Sequence, residues 1–365
     1  MPISNYGQAT AIGVKSHVLY SRLLTAADYW TMLNMDSVNG IIDFIRGTDG
    51  YCSHLETLLP DAHRIDVESA IRSSLLNEAL AFLSYLSGAE RKLFIDWLGY
   101  YEADHLKSIF RWIRSRRLDR DTLRKRLVSI PGSKLSYDLL LNSRNYSEAL
   151  EALRDTKYYK VVREPVRRLL SGETSLFPLE LAIDNLAETD IFNDLNNMAR
   201  RDSIKLESLF GTRLDLMNLY HFHRYIWYFH MSLEETLSRM LPIKYRIKTH
   251  HLREMFKGGN WEERLDVFGD SFPAYAEIFR GALRQPDYEL ALETAINRAI
   301  YLKAVSVFQT GSPGFHTAMS YFILKSQEIN DIIRIIEYVR YDYDRRSAAA
   351  YLVRPITLGG EQIWQ

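Results

Sequence analysis

The chain holds a single cysteine, Cys52, which excludes an internal disulfide and fits a reducing compartment. It carries no net charge: 46 Lys and Arg balance 46 Asp and Glu over 365 residues. A whole-chain attraction to nucleic acid or anionic lipid is therefore unsupported. No stretch approaches the roughly 20 apolar residues of a membrane span, and the Tyr225–Met231 run is broken by His230. The opening MPISNYGQATAIGVKSHVLYSRLL lacks the basic start and apolar run of a signal peptide. Gly-x-x-x-x-Gly-Lys-Ser/Thr and Gly-x-Ser-x-Gly are both missing, so neither a phosphate loop nor a nucleophile elbow is indicated. Alternating strand patterns are nearly absent, and Asn39-Gly40 and Asp49-Gly50 fall within or just after helical patterns. With 47% hydrophobic and 25% charged residues, the expectation is a soluble all-α protein, long enough for two or three domains.

What is present is a helical phrase spoken three times. It runs from Glu102 through His105, Leu106, Ile109 and Phe110 to Ile113. It recurs from Asp215 through Asn218, Leu219, Phe222 and His223 to Ile226, and again from Glu328 through Asp331, Ile332, Ile335 and Ile336 to Val339. Each copy opens on an acid, places a polar group three positions on, and then carries residues at i, i+3, i+4 and i+7. That spacing draws one stripe down one side of an α-helix. All stripe positions are apolar except His223, for which a buried, hydrogen-bonded imidazole is expected.

A second set of stripes starts each repeat: Val38, Ile41, Ile42 and Ile45, then Tyr146, Ala149, Leu150 and Leu153, then Trp261, Leu265 and Phe268. The first two share a register that extends to Leu33/Leu141, Arg46/Arg154, Thr48/Thr156 and Tyr51/Tyr159, which reads as two helices closed by an aromatic. Ile65 to Leu86 reads as one helix ending near Gly88, and the matching helices open after Pro178 and Pro286. Breaks fall at Ser129-Ile130-Pro131-Gly132 and Met240-Leu241-Pro242. Boundaries are placed near 127 and 240, dividing the chain into 1–127, 128–240 and 241–365. The period near 113 is too long for an ordinary solenoid and argues for three homologous helical domains.

These residues resemble the C subunits of the archaeal and bacterial V-type (A-type) ATPases, the counterparts of the eukaryotic d subunits. The likeness lies in the phrases EADHLK (102–107) and DLMNLY (215–220), in GFHTAMSYFILKSQEINDI (314–332) with Tyr321, Lys325, Glu328 and Ile329, and in SRLLTAADYWTML (21–33). It spans about residues 20 to 340. His105 and Asp331 stand where that family usually has Asn, and Tyr220 and Ile333 where a basic residue is common. The resemblance implies a funnel of three helical bundles around a pseudo-threefold axis. It implies a non-catalytic part of the central stalk, without cofactor, seated on the ring of membrane proteolipids and receiving the D and F shaft subunits. Such a part transmits torque for proton or sodium transport and lies on the cytoplasmic face, peripheral to the membrane.

Glu102 and His105 have the Glu-x-x-His spacing of a carboxylate-bridged di-iron site, but no second Glu precedes a His by three residues. The polar start of a structural helix is the preferred reading. His221, His223 and His230 sit close together in an aromatic stretch, and the His250-His251 pair gives only a weak metal signal, since one cysteine leaves histidines and carboxylates as the ligands. The stretch from Arg111 to Arg126 carries eight basic residues against Asp119 and Asp121, and the corresponding 224–239 stretch is balanced. Arg114, Arg116, Arg117, Arg120 and Arg124 are thus candidates for contact with an acidic partner or lipid head groups, against the plainer reading of a solvated helix face. The rival functions are an unrelated helical scaffold and a metal-dependent helical-bundle enzyme built on Glu102 and His105.

Overall fold

The computed structural model describes residues 5–56, 58, 62, 64–358 and 361–362. The first four positions of the opening segment and the last three of the tail lie outside them. Helix starts follow from local chemistry. Ser37, Asn145 and Asn260 each stand just before one of the three starting stripes. Their side chains accept from Gly40 N at 3.1 Å, Glu148 N at 3.0 Å and Glu263 N at 2.9 Å. Each cap supplies an acceptor to an orphan amide of the first turn, a stabilisation of about 0.5–2 kcal/mol. The helices Val38–Arg46, Tyr146–Ala152 and Trp261–Gly269 follow.

The three phrases lie in the closing turns of the three longest helices, Gly88–Ser115, Arg200–Trp227 and Phe315–Arg340. The stripes face inward as the spacing requires. Ten of the twelve positions are buried, and Ile226 and Val339 are half-buried. The Ile65–Leu86 helix is observed as Arg64–Phe82 with a 3-10 turn at Leu83–Tyr85.

By backbone contacts the chain forms two compact units, one of residues 1–79, 200–240 and 244–365, the other of residues 80–199 with 241–243. In the smaller unit Gly88–Ser115 packs on Phe177–Leu195, which packs on Tyr158–Leu170, which packs on Tyr146–Ala152. Leu106, Ile109, Phe110, Leu140, Leu153 and Ile183 form the centre of its core, and Leu127, at the first expected boundary, is buried in the same cluster. In the larger unit Phe315–Arg340 is central. It packs on Tyr288–Gln309, Arg200–Trp227, Asn5–Tyr20, Ala26–Leu33 and Val38–Arg46. Every residue from Phe315 to Lys325 is buried, as expected for a helix surrounded on all sides.

The only strand pairing among the described residues is a two-residue antiparallel ladder, Thr357–Leu358 with Glu361–Gln362. The fold is all-α, as the periodicity predicts.

Candidate functional site

The opening acid of every phrase is buried. Glu102 is 4% exposed, Asp215 0% and Glu328 3%. Burying a carboxylate is costly unless donors meet it, and the three copies solve this differently. Asp215 accepts the amides of Arg246 at 3.1 Å and Ile247 at 3.2 Å, so the helix holds the chain beyond the Pro242 break. Glu328 takes the Tyr51 hydroxyl at 2.8 Å and the Lys325 ammonium at 2.9 Å on one oxygen, and the Leu24 amide at 2.6 Å on the other. It ties three segments of the larger unit together. Glu102 takes the Tyr158 hydroxyl at 2.9 Å on Oε2, and its Oε1 meets no donor among the described residues.

The second polar position, three residues on, also holds returning chain. Asp331 accepts the amides of Val353 at 2.8 Å and Arg354 at 2.9 Å. Burial nevertheless raises its carboxyl to about 6, against the lowering influence of those amides and of Arg334 and Arg298. His105 Nδ1 lies 3.1 Å from the Tyr137 hydroxyl, which itself donates to the Val128 carbonyl at 3.3 Å. Burial lowers the imidazole to about 4, so it is neutral near pH 7.

A left-handed residue follows each phrase helix within three positions. Arg116, His230 and Asp342, with φ of 50°, 48° and 52°, are the non-glycine residues in the left-handed region among those described. Each stands just past a phrase. A side chain in that region is strained by about 1–3 kcal/mol. Arg116 lies one residue past its helix, Asp342 two and His230 three, so the chain reversals are alike in kind but not in register. The side chains presented there differ. The first end is basic. The second carries Trp227, Tyr228 and Phe229, 51%, 43% and 52% exposed. The third carries Tyr341 and Tyr343, 57% and 60% exposed, around Asp342.

The candidate arginines divide into two kinds. Arg116 stacks its guanidinium 3.9 Å over the Trp112 ring and donates to the carbonyls of Ser143 at 2.7 Å and Arg144 at 3.0 Å. Arg124 pairs with Asp138 at 2.9 Å. Both hold local structure. Arg114, Arg117 and Arg120 are exposed and make no ion pair among the described residues.

His223 is fully buried, bonds the Tyr288 hydroxyl through Nε2, and is lowered to about 4, first by burial and then by Arg224 and Arg264. This is the buried, hydrogen-bonded histidine expected. His251 Nδ1 accepts the Lys248 amide at 3.0 Å, a helix-start role. His230 is exposed at its left-handed turn. No group of three or more His, Cys, Asp or Glu side chains is placed to share a metal ion among the described residues.

Two features escaped the sequence pattern. The aromatic that closes onto Glu102 is Tyr158, not Tyr159, because one residue fewer separates Thr156 from the buried ring than separates Thr48 from Tyr51. Lys325, in a tract already noted, is buried as the counter-ion of Glu328. Its i, i+3 spacing to Glu328 was the available signal.

No helix among the described residues is long and apolar enough to cross a membrane. A family model for the ATP synthase (C/AC39) subunit matches residues 13–351. The C subunit of the A-type ATP synthase of Methanosphaera stadtmanae is 22% identical over 219 residues, 60% of this chain and 54% of that protein, so the match spans about half the relative's length. Taken with the tripled phrase and its buried acids, a match running over nearly the whole chain places this protein in the ATP synthase (C/AC39) subunit family.

Proposed function

We propose that this chain is a non-catalytic central-stalk subunit of a V-type (A-type) ATPase or ATP synthase, a socket coupling the central shaft to the membrane rotor ring for proton or sodium transport. The family match over residues 13–351 carries this reading. Three homologous helical domains, divided near 127 and 240 and arranged as a pseudo-threefold funnel, belong to the same proposal. The recurrence of the buried acid and of the left-handed helix end supports it. Packed helical interiors suit a torque-bearing part because they deform little under load.

The partners in this reading are the proteolipids of the ring and the D and F subunits of the shaft, with the chain on the cytoplasmic face, peripheral to the membrane. The ends of the phrase helices are the proposed contact points. They include Arg114, Arg117 and Arg120, with Arg116 and Arg124 framing them. Their chemistry differs as it would for different partners: guanidinium groups for acidic surface, exposed aromatics for half-apolar surface.

The test is reconstitution. Co-expressed with the proteolipid ring and the D and F subunits, this chain is expected to purify with both, and the shaft is expected to lose the ring when the chain is omitted. A ring and shaft that couple equally well without it, or a chain that binds neither, would overturn the proposal in favour of an unrelated scaffold.

A further inference from the structure

A cavity of about 340 Å³ opens beside Glu102 in the smaller unit, lined by Asp96, Gly99, Lys134, Asp155, Lys157 and Tyr158 among others. Glu102 is 4% exposed, lines this cavity, and its Oε1 has no donor among the described residues. We infer that the cavity is a binding site for a primary ammonium group, held between the Glu102 carboxylate and the ring of Tyr158.

The molecule contains its own template for such a site. In the third phrase the carboxylate of Glu328 and the ring of Tyr51 enclose the ammonium of Lys325. Nζ lies 2.9 Å from Glu328 Oε1 and 3.6 Å from the Tyr51 ring centroid, with the lysine side chain 1% exposed. A desolvated ammonium between a carboxylate and an aromatic face gains from both. Three residues before Glu102, where the third phrase has Lys325, the first phrase has Gly99. The acid and the tyrosine are kept and the built-in ammonium is missing.

Lys157 approaches from the opposite segment, its Nζ 3.6 Å from where a Gly99 Cβ would stand. It does not fill the role. It pairs with Asp190 at 2.7 Å and Asp96 at 3.6 Å, and lies 5.6 Å from the Tyr158 ring centroid. Its charge is met by those acids, and Glu102 Oε1 stays buried without a donor among the described residues, so an ammonium that reaches it must part the cavity wall slightly. Asp96 is engaged by Lys92 at 3.0 Å as well as by Lys157, which leaves Glu102 and Asp155 against Lys134 on the cavity wall, a balance that favours a cation. The volume falls within the range of small-ligand pockets and admits an alkyl chain behind the ammonium. The ligand is an alkyl di- or polyamine, or a lysine side chain of a neighbouring protein in the complex.

Cadaverine titrated calorimetrically into the isolated protein, and carbodiimide cross-linking followed by mass spectrometry in the reconstituted complex, separate the two sources. Cadaverine binding to the isolated chain with no cross-link in the complex identifies a small amine. A Glu102–lysine cross-link to another protein of the complex, with or without cadaverine binding, identifies a partner lysine. Glu102→Gln keeps an acceptor for Tyr158 and is expected to weaken cadaverine binding at least about tenfold, the loss of one charge-assisted hydrogen bond. Gly99→Lys is expected to occupy the site itself and abolish binding. 1,5-Pentanediol, tested on the unaltered protein, is expected not to bind. Neither cadaverine binding nor a cross-link, equal binding by the diol, or undiminished binding by a folded Glu102→Gln protein would each overturn the inference.

Discussion

Glu328 and Glu102 occupy the same place in two copies of one helical phrase, and each is closed by a buried tyrosine. Their surroundings exchange a lysine for a glycine across the contact. Beside Glu328 the lysine is on the phrase helix, Lys325, and the glycine is on the facing segment, Gly50, one residue before Tyr51. Beside Glu102 the glycine is on the phrase helix, Gly99, and the lysine is on the facing segment, Lys157, one residue before Tyr158. In both places the ammonium lies over the glycine. The outcome is nonetheless unequal. Lys325 meets its carboxylate directly, and Lys157 is drawn to Asp190 and Asp96 instead. One frame thus yields a closed structural ion pair in one copy and a buried carboxylate with one unpartnered oxygen in another. A shared helical phrase does not fix the job of its polar groups.

The largest difference is expected on removing the acids. Glu328→Gln leaves the Lys325 ammonium buried without its counter-charge, a loss of about 3–5 kcal/mol of stability. Glu102→Gln removes no direct ion pair and is expected to change stability by about 1 kcal/mol or less. Urea denaturation of the two variants measures this, and equal losses would break the comparison. Adding Lys325→Met to Glu328→Gln should recover most of the deficit, since the orphan charge is then gone.

The two glycines should respond with opposite signs. A Cβ at Gly50 would stand 2.9 Å from the Arg22 carbonyl oxygen and 3.3 Å from Lys325 Nζ. Gly50→Ala is expected to destabilise by about 1–3 kcal/mol, as overpacking does. At Gly99 the nearest group is Lys157 Nζ at 3.6 Å, an ordinary contact within a helix. Gly99→Ala is expected to stabilise by about 0.5–1 kcal/mol through helix propensity. Thermal melts of the pair decide it.

Position three of the phrase supplies a contrast in pH. His105 is lowered by burial from 6.5 to about 4, so the folded state binds its proton less readily than the unfolded chain. Its contribution is fully present above pH 6.5 and is lost as pH falls toward 4, at no more than about 1.4 kcal/mol per pH unit. Asp331 is raised by burial from 3.8 to about 6. Its contribution is fully present below 3.8 and is lost as pH rises through 6. Acidification from pH 7 to 5 therefore weakens the fold through His105 and strengthens it through Asp331. His105→Asn, the residue type of the second copy at Asn218, should flatten the fall in stability below pH 6.5. Asp331→Asn should steepen it. Denaturation at a series of pH values measures both.

The long helices were legible because their stripes repeat at 3.6 residues and their starts carry Ser37, Asn145 and Asn260. The acids Glu102, Asp215 and Glu328 were legible as a repeated position. Their partners were not. Tyr51 lies 277 residues from Glu328 in the chain, and Tyr158 is displaced by one position from the register that the helices suggest. Lys325 reads as a surface residue by type, and only its enclosure by Glu328 and Tyr51 explains its burial. The grouping of residues 1–79 with the C-terminal third depends on packing around Phe315–Arg340, which no local pattern announces.

The smallest effect on folding, and the most telling for function, is expected in the basic stretch. Reversing the charge of exposed Arg114, Arg117 and Arg120 should change stability by about 0.5 kcal/mol or less per site, because none holds an ion pair among the described residues. Arg116→Ala removes a guanidinium stacked on Trp112 and two bonds to helix-end carbonyls, and should cost about 1–2 kcal/mol. The stretch thus divides into a structural arginine and three available ones, so the triple reversal isolates partner binding from folding. If these three meet an acidic partner, reversal weakens assembly of the reconstituted complex at low salt and matters less at high salt, where exposed charges are screened within about 10 Å at 0.1 M. Assembly unchanged at both salt concentrations would reduce the basic end of the first phrase helix to a solvated face, and leave the aromatic ends around Trp227 and Tyr341 as the contact surfaces to test.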